Sequence, residues 1–288
     1  MNRFVITLTA LVCILPVEGQ TLAKYRGNAR AAVSYTFDDG LAEHYTMVMP
    51  HLDSLGIKGT FWIIGDNIDT RKPMVDHAPM TWSQVATMSK HGHEIGNHGF
   101  THSKGFNELT NEQIDSEIWQ NDSAIFANTG IHPVSLAYPG NGRNDAVVAH
   151  ILSSGNHIVG TRTSEHWAGG GATTANLDQW LQSIIESGEW GVTMTHGITH
   201  GYDRFDNPEA LWQHLKHACK LASSGQLWIA TFAEVTAYRK GITTDATYIL
   251  PEKPKKITQG HKRLNPYQSW DGSWCVDALR NIPLDIIY

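Results

Sequence analysis

Residues 31–40 have the sequence AAVSYTFDDG, a mostly apolar run that ends in two adjacent aspartates and a glycine. A short run of this kind, bounded by a turn signal, is typical of a buried strand. Residues 41–55 follow with apolar side chains at helical spacing. The prediction of the fold starts from this strand–helix unit.

The unit recurs along the chain. We predict strands at 31–37, 58–64, 94–97, 134–138, 157–161, 191–195 and 227–231, and helices at 41–55, 82–90, 111–128, 146–154, 177–186, 208–223 and 232–239. Thr81 suits an N-cap, and Thr110 with Gln113 resembles a capping box. Helical crossovers return the chain to the same end of a sheet, so the strands should pair in parallel. The predicted fold is α/β, a distorted (β/α)7 barrel similar to a TIM barrel, with an open doubly wound sheet as the alternative.

The two ends of the chain differ from this pattern. Arg3 precedes a mostly apolar stretch at 4–17, and Val17 and Gly19 are small residues at the positions that a signal peptidase inspects, which predicts a signal peptide at 1–19 and export to the periplasm or the exterior. An uncleaved anchor is the alternative. We assign 20–240 to one domain and 241–288 to a C-terminal extension. In that extension Asp271-Gly272 lies between two tryptophans and favours a hairpin.

Composition excludes some function classes. The formal net charge is −6, without the basic balance that nucleic-acid binding usually requires. No membrane span is expected in the mature chain, and the sequence does not indicate the oligomeric state. Cys219 and Cys275 would remain after cleavage. An oxidising compartment permits a bridge between them, but we slightly prefer two free thiols.

Ionisable side chains follow three of the predicted strands. Asp38 and Asp39 end the first strand, His98 and His102 follow the third, and His196 follows the sixth. The carboxyl ends of parallel strands meet at one edge, where ligands bind. Two imidazoles and one carboxylate are a recognised set for a divalent metal. The four-residue spacing puts both imidazoles on one face if the segment turns helically, but with 16 histidines in the chain it is only moderately specific.

These residues resemble the motifs of the polysaccharide deacetylases with a NodB homology domain, carbohydrate esterase family four. The resemblance covers about residues 31–239. It implies that Asp38 is the general base, that Asp39, His98 and His102 bind the metal, and that His196 is the general acid. The implied metal is zinc, with cobalt, nickel or manganese as alternatives.

Two motifs of the family are altered here. The third lacks its arginine, and Gly140 stands where a tyrosine is usual. A backbone N–H at Gly140 could still serve an oxyanion, and Arg162 is the substitute candidate for orienting the base. Gly99 also replaces the usual Ser or Thr. For the fourth motif, residues 165–167 and 178–180 compete, and the glycines at 169–171 suit either a mobile loop over the site or a plain connection.

The resemblance implies hydrolysis of acetyl groups on a carbohydrate. The preferred substrate is an N-acetylated amino sugar in a polymer or oligomer. The alternatives are an O-acetyl esterase of the xylan type, a hydrolase of small cyclic amides, or a glycan-binding protein that kept the barrel without turnover.

Overall fold

The computed structural model describes residues 23–70, 78–201 and 203–242. The predicted signal peptide, Cys275 and the predicted hairpin near Asp271 lie outside the described residues. The domain boundaries that we assign from the sequence therefore stay predictions.

Within the described residues every ladder between strands is parallel, as predicted. The strands are β1 (Ala31–Ser34), β2 (Thr36–Phe37), β3 (Thr60–Ile63), β4 (Glu94–Asn97), β5 (Ser135–Ala137), β6 (Gly160–Arg162), β7 (His166–Trp167), β8 (Trp190–Met194) and β9 (Leu227–Ile229). The predicted first strand is divided at Tyr35, and β7 was not predicted.

The division at Tyr35 allows one strand to serve two sheets. β1 belongs to a sheet with the order β7-β8-β1-β9, and β2 begins a sheet with the order β2-β3-β4-β5-β6. A bridge between Phe37 and Thr195 joins the two sheets at the end where the aspartates follow. The resulting curled wall of parallel strands confirms the distorted α/β barrel rather than the open doubly wound sheet.

The helices agree with the prediction, with one exception. They are α1 (Met49–Ser54), α2 (Trp82–Lys90), α3 (Asn111–Thr129), α4 (Asp145–Ser153), α5 (Thr174–Ser187), α6 (Glu209–Ser223) and α7 (Phe232–Arg239). Capping boxes begin α2 at Thr81 and α3 at Thr110. No described helix has the length and apolar character that crossing a bilayer requires.

The exception is the predicted helix at 41–55. Its first part is a π-helical segment, His44–Val48, and α1 begins only after it. Segments of this kind are frequent at functional sites. Here Glu43 and His44 both contact the loop after β8, which carries His196.

Close packing beneath the site depends on a glycine. A Cβ on Gly96 in β4 would lie 2.3 Å from the ring of Trp62 in β3, so any larger residue would displace that ring. Trp62 is fully buried, and the guanidinium of Arg162 lies 5.7 Å from its centroid. The Trp62 ring in the barrel interior therefore packs against the guanidinium of Arg162.

Candidate active site

The predicted metal ligands, Asp38 and His196 converge at the carboxyl ends of β2, β4 and β8. His98 Nε2 lies 3.4 Å from Asp39 Oδ1 and 3.8 Å from Asp38 Oδ2. The rings of His98 and His102 have centroids 4.9 Å apart. His196 Nε2 lies 3.9 Å from Asp39 Oδ2. Side chains that follow three different strands therefore share one site.

The donor atoms of Asp39, His98 and His102 fit a small divalent cation. One ligand atom from each residue lies within 4.8 Å of the other two. A tetrahedron with metal–ligand bonds of about 2.0–2.1 Å has edges of about 3.4 Å. The distance of 3.4 Å between His98 Nε2 and Asp39 Oδ1 equals such an edge, so this pair has the separation of two ligands of one ion.

A hydrogen bond orients the ring of His98, and unusual backbone angles direct the side chains of Asp39 and His102. His98 Nδ1 lies 2.9 Å from the carbonyl of Ala137 in β5, so an Nδ1–H donor leaves Nε2 for the metal. Asp39 and His102 have φ angles of 77° and 52°. The left-handed region is uncommon for residues other than glycine, and such strain concentrates at functional sites.

The segment from His98 to His102 does not turn helically, so the two rings are brought together in another way. The segment between them is a bend in which Gly99 has a φ of 75°. A Cβ at Gly99 would lie 3.0 Å from Pro139 and 3.2 Å from Glu117. The close approach of these neighbours, together with the positive φ, explains why glycine replaces the usual Ser or Thr.

Asp38 is bound by Arg162. The Arg162 guanidinium donates to both carboxylate oxygens, over 2.7 and 2.5 Å, and to Thr36 Oγ1 over 2.9 Å. Both side chains are almost completely buried. Burial would raise the pKa of Asp38, but the guanidinium outweighs it and holds the pKa below its usual value. An arginine from β6 therefore contacts the carboxylate that the resemblance implies as the base.

The His196 ring lies near two aspartates and a tryptophan. Its Nε2 faces Asp39, and its Nδ1 lies 3.8 Å from Asp203 Oδ2. The Trp167 ring has its centroid 5.9 Å from that of His196. Asp203 was not selected from the sequence, because it lies in a loop without periodicity and seven residues beyond the histidine.

The two segments that compete for the fourth motif, 165–167 and 178–180, differ in their distance from His196. Asp178 Oδ1 lies 2.6 Å from His214 Nδ1, between α5 and α6, so it is engaged on the outside of the barrel. Glu165 pairs with Arg143. Of the first segment, Trp167 is the residue near His196, and its Nε1 donates to the carbonyl of Gly170.

Gly140 lies in a tight turn after β5 with a φ of 55°. Apart from its two chain neighbours, no described residue has a heavy atom within 4 Å of the position that a Cβ would occupy. Its neighbour Asn141 has a positive φ as well and donates to Met194 Sδ at the end of β8. The turn therefore spans from β5 toward the strand that carries His196.

A second group of possible ligands in the described residues consists of Asp122, His132 and His157. The Nδ1 atoms of His132 and His157 lie 2.5 and 2.7 Å, respectively, from the two carboxylate oxygens of Asp122. These separations are hydrogen-bond lengths, well below the ligand edge of about 3.4 Å that a metal site requires. The group is a buried set of hydrogen bonds that joins α3 to the segments before β5 and β6.

Comparison with known proteins gives one family. A family model described as polysaccharide deacetylase matches residues 26–159. The chain is 24% identical to chitin deacetylase 1 of Cryptococcus neoformans var. grubii over 218 residues, which are 75% of this chain and 39% of that protein. It is 26% identical over 136 residues to the peptidoglycan-N-acetylglucosamine deacetylase PgdA of Listeria monocytogenes, covering 47% of this chain and 26% of that protein. The chain thus spans well under half the length of these relatives.

The fold has counterparts among solved structures. A candidate polysaccharide deacetylase from Mycobacterium smegmatis superposes with a TM-score of 0.58 at 15% identity, over 74% of this chain and 91% of that chain. At this identity the likeness is one of fold. It agrees with the parallel curled sheet described above.

Proposed function

Because the chain belongs to the polysaccharide deacetylase family, we propose that it is a metal-dependent hydrolase that removes acetyl groups from an acetylated carbohydrate. The proposed bond is the N-acetyl amide of an amino sugar in a polymer or oligomer. The proposed metal is zinc, and we propose that the protein is exported. The observation that carries the proposal is the division of labour between adjacent carboxylates: Asp38 is bound by Arg162, whereas Asp39 faces His98.

Asp39, His98 and His102 are the residues that would hold the metal. A divalent ion bound there would act as a Lewis acid toward the acetyl carbonyl and would favour ionisation of water. The remaining chemistry depends on the side chains around it.

Asp38 is the proposed general base. Its lowered pKa keeps it ionised at neutral pH, so it can accept a proton from the attacking water. Arg162 holds both carboxylate oxygens and fixes their direction. A backbone N–H in the turn at Gly140 is the proposed donor to the oxyanion that forms on the carbonyl.

His196 is the proposed general acid. As an imidazolium it would donate its proton to the departing amine nitrogen when the bond to the acetyl carbon breaks. Asp203 Oδ2 lies 3.8 Å from the other ring nitrogen, Nδ1, on the side away from Asp39. The Trp167 ring beside it provides an apolar wall that would exclude water from the acetyl methyl group.

The test is acetate release from N-acetylated amino-sugar oligomers and from O-acetylated xylan oligomers, before and after chelation. We expect acetate from the N-acetylated substrates, loss of activity on chelation and recovery with Zn²⁺. Release from the O-acetylated substrates alone would assign the esterase instead. Binding of oligomers without any acetate release would refute the hydrolase.

A further inference from the structure

The sequence uses one five-residue pattern twice at the site. Residues 98–102 are HGFTH and residues 196–200 are HGITH. The first segment follows β4 and supplies two of the proposed metal ligands. The second follows β8 and supplies the proposed acid. In the structure, a glutamate carboxylate accepts backbone hydrogen bonds from each of the two segments.

A glutamate accepts hydrogen bonds from the first segment. Glu117, on α3, accepts the backbone N–H groups of Phe100 and Thr101 over 2.8 Å each. The hydroxyl of Thr101 donates to its other oxygen over 2.6 Å. The carboxylate thus fixes the third and fourth residues of the segment that links His98 to His102.

Another glutamate binds the second segment in the same manner. Glu43 accepts the N–H groups of Ile198 over 2.9 Å and of Thr199 over 3.1 Å. The hydroxyl of Thr199 again donates to the same carboxylate. Although burial alone would raise it, the hydrogen bonds from Thr199 and His200 lower the pKa of Glu43 to about 2, so Glu43 is ionised throughout the neutral range.

The two segments differ in their last histidine. His102 turns into the site, where its ring lies against that of His98. His200 is 77% exposed and its Nδ1 lies 3.0 Å from Glu43. The second segment is held once more at its start, because the buried ring of His44 lies with Nε2 2.9 Å from the carbonyl of His196. The same turn therefore presents a pair of histidines in one case and a single histidine in the other.

We propose that Glu117 and Glu43 are positioning residues for two different functions of the site: Glu117 orients the metal ligands, and Glu43 orients His196. The second half of this inference rests on the proposed function. Neither carboxylate touches the metal site itself; each acts through the backbone of a histidine-bearing loop. Loss of each should therefore affect a different measurable property.

The experiment compares Glu117→Gln with Glu43→Gln in the full chain. A glutamine keeps the size of the side chain, but its NH₂ group cannot accept the second set of hydrogen bonds. We expect Glu117→Gln to lower Zn²⁺ affinity by about 10- to 100-fold, as is typical when partners of ligands are removed, with kcat recovering at saturating Zn²⁺. We expect Glu43→Gln to leave Zn²⁺ affinity within about threefold of the original and to lower kcat by about 10- to 100-fold at unchanged KM.

Zn²⁺ affinity is measured by competition with a chelating dye, and kcat and KM by acetate release. Glu94→Gln is the control for stability: Glu94 is buried and accepts the Ala233 N–H over 2.8 Å, but it contacts neither loop. It should lower the melting temperature without changing affinity or kcat. If a glutamine variant fails to fold, Thr101→Val and Thr199→Val remove only the hydroxyl contact and should show the same division with smaller changes.

The inference is refuted if the variants with Gln at 117 and 43 change only the melting temperature, or if both lower affinity and kcat alike. A wild-type chain that binds Zn²⁺ but releases no acetate refutes the proposed function instead. In that case the affinity comparison alone still decides whether Glu117, and not Glu43, serves the metal site.

Discussion

Replacing Arg162 by methionine would separate the electrostatic support of Asp38 from the rest of the site. Methionine retains much of the side-chain volume beside Trp62, although the contact between the guanidinium and the ring is lost with the charge. The two hydrogen bonds to the carboxylate and the one to Thr36 would be lost. Asp38, which is 1% exposed, would remain in its buried position without its cation.

The size of the effect follows from the charge pair. Charge centres about 4 Å apart attract by about 4 kcal/mol at an effective dielectric constant near 20. Losing this attraction should therefore raise the pKa of Asp38 from its lowered value. Removing one partner of a buried ion pair also typically costs about 3–5 kcal/mol of stability.

The assay is the pH dependence of kcat/KM for acetate release. A base with a lowered pKa is active down to acidic pH, so raising its pKa moves the acidic limb toward higher pH. Arg162→Lys keeps the charge but loses the bidentate geometry, and should move the limb less. Arg143→Met is the matched control, because Arg143 pairs with Glu165 over 3.3 Å at a half-buried position. A limb that moved by less than about one unit in the Arg162→Met variant would refute the assignment of Asp38 as a base held by Arg162.

Two further predictions concern the ligands and stability. Asp38→Asn should abolish acetate release and keep the bound metal, whereas His98→Ala should lose the metal itself. The metal content is measured by elemental analysis of the dialysed protein. Normal turnover in Asp38→Asn would contradict the assignment of Asp38 as the base. Burial lowers the pKa values of His44 and His93 to about 4, while an unfolded imidazole takes up its proton near pH 6.5. Stability should therefore be lost as pH falls from about 6.5 to 4, by up to about 3 kcal/mol for each ring, and urea denaturation at several pH values would contradict this if the unfolding free energy stayed constant.

Local sequence patterns were sufficient to predict most of the strands and helices. The bounds of β4, α2 and α7 agree with the prediction because each has a clear start signal or apolar run and a short connection. The segment at 41–55 was predicted less well: its apolar spacing indicates a regular helix, but Glu43 and His44 are both engaged by the loop after β8. Such long-range contacts have no local signature.

The site could be predicted where its residues follow strands. Asp38, Asp39, His98 and His196 come directly after predicted strands, and parallel pairing brings the ends of those strands together. Asp203 could not be found in this way, because it lies in an irregular loop whose path depends on tertiary packing. The two glutamates beneath the histidine loops were missed for a similar reason, since helix-borne acidic residues are common and only their partners distinguish them.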